Sequence, residues 1–462
     1  MNKKIDMLNG SLYTGILRFA IPVFFSTLLQ NLFHTADLIV VGQFCGSISV
    51  AAVTSTTSLT NLIVSLFVGL SVGTGLTVAR ALGGRQDDDV FRYVHTALPA
   101  ALVCGGILSV FGVILSPTLL RMMGTPQEVL PLSSLYMRIY FAGMVFNMVY
   151  NFCASILRAV GDTKSPLMFL TISGVANVVM NLFFVLVCHM NVAGVALATT
   201  ISQGISAILV VIALMRRTDS CRLSLAKIHI YKKQLLSIFR IGLPAGIQGS
   251  LFSISNVIIT SSINSFGSAA IISGNGTMQN IESFIVPINT GFSQAAPNFI
   301  AQNLGAHQHS RIKKAYRICI GYNLLFMFSA SMLIYAFSAP LLSLYITDSP
   351  EAMQYAMVRM YYVTMPYCLM GVMDTSSNAL RGIGSSMTAM FVTLAGACGL
   401  RILWIYTIFQ IPKCHNLACL YQSYPVSWVI TFTIEAIMFF ILVKKKENAD
   451  MNYRAEALGG NV

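Results

Sequence analysis

The sequence predicts an all-α integral membrane protein with twelve transmembrane helices in two pseudo-symmetric six-helix lobes. Three observations carry this: an apolar composition, twelve stretches long enough to cross a bilayer, and one internal repeat at an offset of 222 residues. Of the 462 residues, 55% are apolar and only 10% are charged, too few charges to cover a soluble surface. A helix needs about 20 apolar residues to cross ~30 Å of hydrocarbon. Such stretches lie at 15–40, 50–80, 93–116, 132–157, 166–188, 193–215, 236–262, 270–302, 316–338, 354–380, 387–410 and 424–443.

The repeat aligns these stretches in order. Ile21-Pro22 at the start of span 1 recurs as Leu243-Pro244 in span 7. In span 2, Gly69-Leu70-Ser71 and Ala79-Arg80-Ala81-Leu82-Gly83 recur in span 8 as Gly291-Phe292-Ser293 and Ala301-Gln302-Asn303-Leu304-Gly305. Span 4 ends in Leu157-Arg158-Ala159-Val160-Gly161, which returns one residue out of step as Leu380-Arg381-Gly382-Ile383-Gly384 after span 10. Spans 5 and 6 carry Asn177, Asn181 and Thr199; span 11 carries Arg401, and span 12 ends at Lys444–Lys446. The expected organisation is a lobe at 1–220, a connector at 221–235, a second lobe at 236–445 and a tail at 446–462. With six spans per half, the halves enter the membrane in the same orientation and form parallel repeats around a cleft, an arrangement typical of secondary transporters.

Charge orients the spans. Lys3, Lys4 and Arg18, Arg80/Arg85/Arg92, Arg158/Lys164, the Arg216–Arg240 connector, Arg311/Lys313/Lys314/Arg317, Arg381 and Lys444–Lys446 all fall on one side, against Arg121, Arg138, Arg359 and Lys413 on the other. By the positive-inside rule both termini are cytoplasmic, so the expected location is the cell membrane with several passes through the lipid bilayer. The net charge of +13 then reflects topology. A nucleic-acid partner would want a basic surface on a folded soluble module, and there is none. The first apolar stretch lacks a small-residue cleavage site and reads as a true span. No GxxxxGK[ST] phosphate loop is present, so energy would come from an ion gradient. The ten cysteines show no CxxC pair and read as small buried residues, although Cys414 and Cys419 share a loop and could pair. No cofactor is expected beyond a coupling ion, and the protein should act as a monomer.

Ionisable groups in hydrocarbon are costly and so mark function. Four acids qualify: Asp37, Glu282, Asp374 and Glu435. Asp37 lies in the outer half of span 1. Asn177 and Asn181 share one face of span 5, Thr199 enters span 6 at similar depth, and Asn151 in span 4 adds another amide. Together they could ring one carboxylate with oxygen donors, suiting Na⁺ (at Asp37, Asn177 and Asn181) or a proton. The plainer alternative is interhelical hydrogen bonding by the asparagines, worth about 0.6 kcal/mol each. His34, one turn before Asp37, could relay protons or simply bridge helices.

In the second lobe, Asp374 takes the repeat position of Asn151 and could either face substrate or pair with Arg401. Glu282 follows Gln279-Asn280 and precedes Pro287; it could gate, titrate or bind a cationic substrate. Glu435 stands among Ile, Phe and Met and reads as a packing residue.

The repeated marks together resemble those of a multidrug and toxic compound extrusion (MATE) transporter, over essentially the whole chain. They are Ile21-Pro22 and Leu243-Pro244, Asp37 followed by Val41-Gly42, Arg80–Gly83 and Gln302–Gly305, and the Leu157–Thr163 and Leu380–Gly384 ends. The resemblance implies a two-lobed antiporter that expels small organic cations as Na⁺ or H⁺ enters. It assigns the first-lobe cation site to Asp37, Asn151, Asn177, Asn181 and Thr199, and a second-lobe acid to Asp374. Asn181 departs from the family pattern, where a second acid is common, and this leaves the ion open between Na⁺ and H⁺. The glutamate that one family branch carries in span 7 is replaced by the region of Gln248 and Ser250.

The alternative of the same superfamily is a flippase for a lipid-linked oligosaccharide. Its cleft should be lined by cations that meet pyrophosphate, and only Arg401 reads as lying well inside a span. An intramembrane aspartyl protease is excluded by motif: neither Asp37, after Ala36, nor Asp374, after Met373, has the expected neighbours.

Overall fold

The computed structural model describes residues 4–346 and 349–459, so the first three residues of the N-terminal range and the last three of the tail lie outside it. Regular structure among the described residues is helical. The helices are α1 Leu12–Phe44, α2 Ser47–Gly83, α3 Asp87–Met122, α4 Leu130–Ala142, α5 Met144–Ala159, α6 Lys164–Leu182, α7 Asn191–Met215, α8 Lys232–Asn264 and α9 Ala269–Glu282. They continue with α10 Val286–Gly305, α11 His309–Ala336, α12 Ser338–Ser343, α13 Pro350–Arg359, α14 Tyr367–Gly382, α15 Ser386–Thr393, α16 Leu400–Tyr406 and α17 Leu417–Gly459. Short π-helical turns extend α6 (Phe183–Val187), precede α14 (Met360–Thr364) and join α15 to α16 (Leu394–Gly399).

Among the described residues nine helical runs are long and apolar enough to cross a membrane, and α4 with α5 make a tenth, bent by 45°. The other two of the twelve crossings are broken and more polar than the sequence pattern suggests. One is α9 with α10, interrupted just after Glu282 where Pro287 opens the next helix; the other is α13 with α14, interrupted at Pro366. Proline removes a backbone donor and crowds the preceding turn, so each break falls where a helix hydrogen bond is lost. Gly143, at the bend between α4 and α5, occupies the repeat position of Pro366. A Cβ there would lie 2.5 Å from Thr200 Cγ2, so this lobe bends through close packing and the other through proline.

The repeat is visible in the turns themselves. Arg85 and His307 both adopt left-handed backbone, at φ 55° and 54°, after α2 and α10. The following amides close the same bond: Gln86 N–H to Ala81 O at 3.0 Å, and Gln308 N–H to Asn303 O at 2.9 Å. Gly161 and Gly384, at φ 87° and 83°, repeat the device after α5 and α14, with Asp162 N–H to Leu157 O and Ser385 N–H to Leu380 O both at 2.9 Å.

Two compact units emerge, one of Met1–Ile5 with Phe25–Ser250 and the other of Asp6–Phe24 with Leu251–Val462. The expected boundary at 220/221 is thus displaced: α1 and α8 each contribute to both units. Within the first unit the cause is small residues. A Cβ on Gly69 would lie 2.2 Å from Gly246 N, and one on Gly246 only 2.0 Å from Leu66 O, so α2 and α8 touch backbone to backbone. Within the second unit the start of the chain is held by Arg311, which donates to Gly10 O at 2.8 Å and Met7 O at 3.3 Å. Asn303 also donates to Met7 O, at 3.1 Å.

The connector at 221–235 lies against α3. Ser224 N–H donates to His95 Nε2 at 3.1 Å, and Tyr231 N–H to Thr96 Oγ1 at 3.2 Å. Upstream, Asp219 takes Arg217 at 2.7 and 2.9 Å and Lys4 Nζ at 2.5 Å. Partial burial pushes the Asp219 carboxyl up, but these cations outweigh it and hold the group far below the usual carboxylate range. The 446–462 tail continues α17 as helix through Gly459. All ten cysteines are free, Cys414 and Cys419 included.

Candidate functional site

Four of the five predicted first-lobe residues converge. Asp37, buried in α1, accepts from Asn181 Nδ2 on Oδ1 and from Thr199 Oγ1 on Oδ2 at 3.5 Å. Asn177 Nδ2 donates to Thr199 Oγ1 at 3.4 Å, and Asn181 Nδ2 also reaches Asn177 Oδ1 at 3.3 Å. The geometry follows from helix periodicity: Asn177 and Asn181 stack one turn apart on α6, facing the start of α7 that presents Thr199.

Asn151 lines the same cavity but does not reach the acid; its Nδ2 turns back to Asn147 O and Oδ1, both at 2.9 Å. His34 also lines the cavity, without a hydrogen bond to Asp37. The cavity measures about 480 Å³, and its wall includes Thr60, Tyr136, Tyr140 and Gln203. Tyr136, Tyr140 and Gln203 are not marked by the sequence, because Tyr and Gln on apolar helices look like packing; the i, i+4 spacing of Tyr136 and Tyr140 is the available signal.

Among the described residues no lysine or arginine pairs with Asp37. Burying an unpaired carboxylate is expensive, so the site favours a proton or a small cation. Asn181 Oδ1, buried and without a hydrogen-bond partner, is a ready oxygen for such an ion.

The second unit arranges its acids differently. Asp374 accepts from Asn289 Nδ2 at 2.9 Å and Asn378 Nδ2 at 3.1 Å. Asn323 extends this network, donating to Asn289 Oδ1 at 2.9 Å and Thr375 Oγ1 at 2.7 Å, and Arg381 donates to Asn378 Oδ1 at 2.8 Å. Asp374 does not pair with Arg401, contrary to the alternative considered from sequence. Arg401 instead donates to Ser427 Oγ at 2.8 Å and stacks over Tyr424 at 4.3 Å and Trp428 at 5.5 Å.

Glu282 forms a two-pronged ion pair with Arg359, Nη2 to Oε2 at 2.6 Å and Nε to Oε1 at 3.1 Å, and accepts from Thr364 Oγ1 at 2.8 Å. Arg359 was assigned from sequence to an external loop; it is 4% exposed at the end of α13. Its reading as a topology charge hid a side chain that Glu282 neutralises. Arg381 is buried too, so Arg401 is not alone inside the spans. Gln248 falls in the part of α8 that clusters with the first unit, whereas Asp374, Glu282 and Arg401 belong to the second. Glu435 is fully buried and accepts from Thr393 Oγ1 at 2.7 Å, so it has the polar partner that its sequence neighbours lack.

Repeated helical crossings, with a buried carboxylate in one repeat that no lysine or arginine among the described residues neutralises, define a class, that of membrane transporters built from two related lobes. The MatE family model matches residues 22–183 and 244–407, one match in each repeat. The chain belongs to this family of multidrug efflux transporters. It is similar to the probable multidrug resistance protein YoeA of Bacillus subtilis (strain 168), at 26% identity over 95% of each chain. YpnP of the same organism, also described as a probable multidrug resistance protein, is 28% identical over 86% of this chain and 89% of its own length. A crystal structure of MATE in complex with MaL6 shares the fold, with a TM-score of 0.89 at 20% identity, covering 97% of this chain and all of the other.

Proposed function

We propose that the protein is a secondary antiporter that expels small organic cations as Na⁺ or H⁺ enters through Asp37. The observation that carries this reading is a buried acid in a polar cavity with no cationic side chain to neutralise it. Asp37 alternates between an ion-bound or protonated state and a free carboxylate as the two lobes alternate access. Thr199 and the Asn177–Asn181 pair hold the acid in position and supply neutral oxygens. Asp374, whose neighbours are amides, offers the second-lobe charge to the substrate, whereas the charge of Glu282 is already spent on Arg359. On this reading the protein resides in the cell membrane with both termini in the cytoplasm. A membrane potential of 100 mV supplies about 2.3 kcal/mol per charge, enough for roughly fifty-fold expulsion.

The test is efflux of a fluorescent organic cation from proteoliposomes under imposed Na⁺ and H⁺ gradients in turn. Efflux should follow one gradient and vanish in Asp37→Asn. Undiminished gradient-driven efflux by that variant would refute the assignment.

A further inference from the structure

In the second unit, a further constellation belongs to no part of the transport reading. His307 Nδ1 and His309 Nε2 approach the same carboxylate oxygen, Asp450 Oδ2, at 2.7 and 2.6 Å. The three donor atoms lie within 4.8 Å of one another. His307 comes from the turn between α10 and α11 and His309 opens α11, while the aspartate comes from the last stretch of α17, past Lys444–Lys446 and so beyond the apolar part of that helix. We propose that His307, His309 and Asp450 form a binding site for a borderline divalent metal ion of the Zn²⁺ type, which fastens the end of α17 to this turn.

Ligand chemistry sets the ion class. Two imidazoles with one carboxylate suit Zn²⁺, Co²⁺ or Ni²⁺, whereas Mg²⁺ and Ca²⁺ prefer oxygen-only sets. Three protein ligands and an open fourth position are a common zinc arrangement. Tetrahedral coordination at 2.0–2.2 Å sets neighbouring ligand atoms about 3.4 Å apart, so the hydrogen-bonded N···O contacts need open by only ~0.7 Å. The ion takes the place now held by ring protons, each of which shifts to the other ring nitrogen or leaves to solvent. A cavity of about 470 Å³ adjoins the cluster and leaves room for a water ligand. Glu447, one turn before Asp450, lines the same cavity and is held by Lys313 Nζ at 2.7 Å.

The repeat supplies an internal comparison. Arg85 and Asp87 occupy the corresponding positions in the first lobe, on the same left-handed turn. The turn's strain is therefore common to both lobes, and the pair of imidazoles on it belongs to the second alone. Its exposure also differs from that of the transport acids: the His307 side chain is 55% exposed, open to an ion from solution.

The experiment uses the full-length protein in detergent after chelator treatment, titrated with Zn²⁺ by calorimetry and with Co²⁺ by visible absorption. Wild type, His307→Ala, Asp450→Asn and Asp37→Asn are compared. We expect one equivalent bound, tetrahedral Co²⁺ bands, and at least tenfold weaker binding in His307→Ala and in Asp450→Asn, with Asp37→Asn unchanged. Zn²⁺ should also slow hydrogen exchange in the last turns of α17 in wild type and Asp37→Asn, but not in His307→Ala or Asp450→Asn. Equal affinity in wild type and His307→Ala would overturn the proposal, as would loss of binding in Asp37→Asn alone.

Discussion

Replacing Glu282 by Gln should destabilise the protein by about 3–4 kcal/mol, and the reasoning can be followed atom by atom. Glu282 and Arg359 are both about nineteen-twentieths buried and joined by two hydrogen bonds. Removing one member of a buried pair typically costs about 3–5 kcal/mol, because the survivor keeps its desolvation penalty. Arg359 would retain Asn275 Oδ1 at 2.8 Å and the faces of Tyr421 and Tyr424. Those rings stand 5.6 and 5.9 Å from the guanidinium carbon, near the limit of a useful cation–π contact, and each is worth about 0.5–1 kcal/mol. They trim the loss without cancelling it.

The two single changes should also differ. A guanidinium stays charged at every accessible pH, whereas a carboxylate left alone can take up a proton. Arg359→Met should therefore be milder than Glu282→Gln, and Glu282→Gln with Arg359→Met nearest to wild type. Thermal unfolding in detergent across the four proteins gives the coupling directly. A Glu282→Gln protein as stable as wild type, or a double variant worse than the sum of the singles, would refute the argument.

Ala at Gly69 or Gly246 should force α2 from α8, costing about 1–3 kcal/mol or more by overpacking. Gly276→Ala, with nothing within 4 Å of its new Cβ, should be neutral or stabilising in the same melting assay. In proteoliposomes, Asn181→Ala should disturb ion coupling far more than Asn151→Ala, since only Asn181 touches Asp37. Asp219→Asn should lose about 1 kcal/mol, the contribution of a half-exposed pair network. Because the folded carboxyl is held low, that contribution is complete above about pH 4 and fades as pH falls toward the depressed folded value, so the two melting curves should converge in acid.

The parts of this molecule that are legible in its sequence are local or periodic. The turn at Arg85 and its copy at His307 repeat because Gly83 and Gly305, with the hydrogen bonds around them, repeat. Asp37, Asn177, Asn181 and Thr199 were found together because depth along a helix is countable and adjacent spans share it. Asn151 enters the sequence reading only as a further amide in span 4, and it has a nearer partner in Asn147, which counting cannot rank. The pairing of α8 with the first unit depends on glycines 173 residues or more apart touching backbone to backbone, as Gly69 does Gly242 and Gly246. No helical period encodes that contact. Arg359 was misplaced for a related reason: a charge near a helix end reads as a marker of sidedness until its partner is seen.

That misplaced arginine explains why two homologous lobes handle their acids differently. Thr60 and Tyr136 form part of the wall around Asp37. At repeat offsets of 222 and 223 their counterparts are Glu282 and Arg359, the two halves of the buried ion pair. Where the first lobe leaves a polar space beside an uncompensated acid, the second has installed both the acid and its cation. A built-in guanidinium cannot leave, so this position in the second lobe has no charge deficit for a mobile ion to fill. The deficit persists at Asp37 alone among these two, where hydroxyls and amides soften the cost of a free carboxylate without cancelling it. The lobes differ further at the acid itself, because the counterpart of Asp37 at the 222 offset is Ile259: the first lobe keeps an acid that no built-in cation neutralises, and the second carries its acid with its own guanidinium as a structural strut.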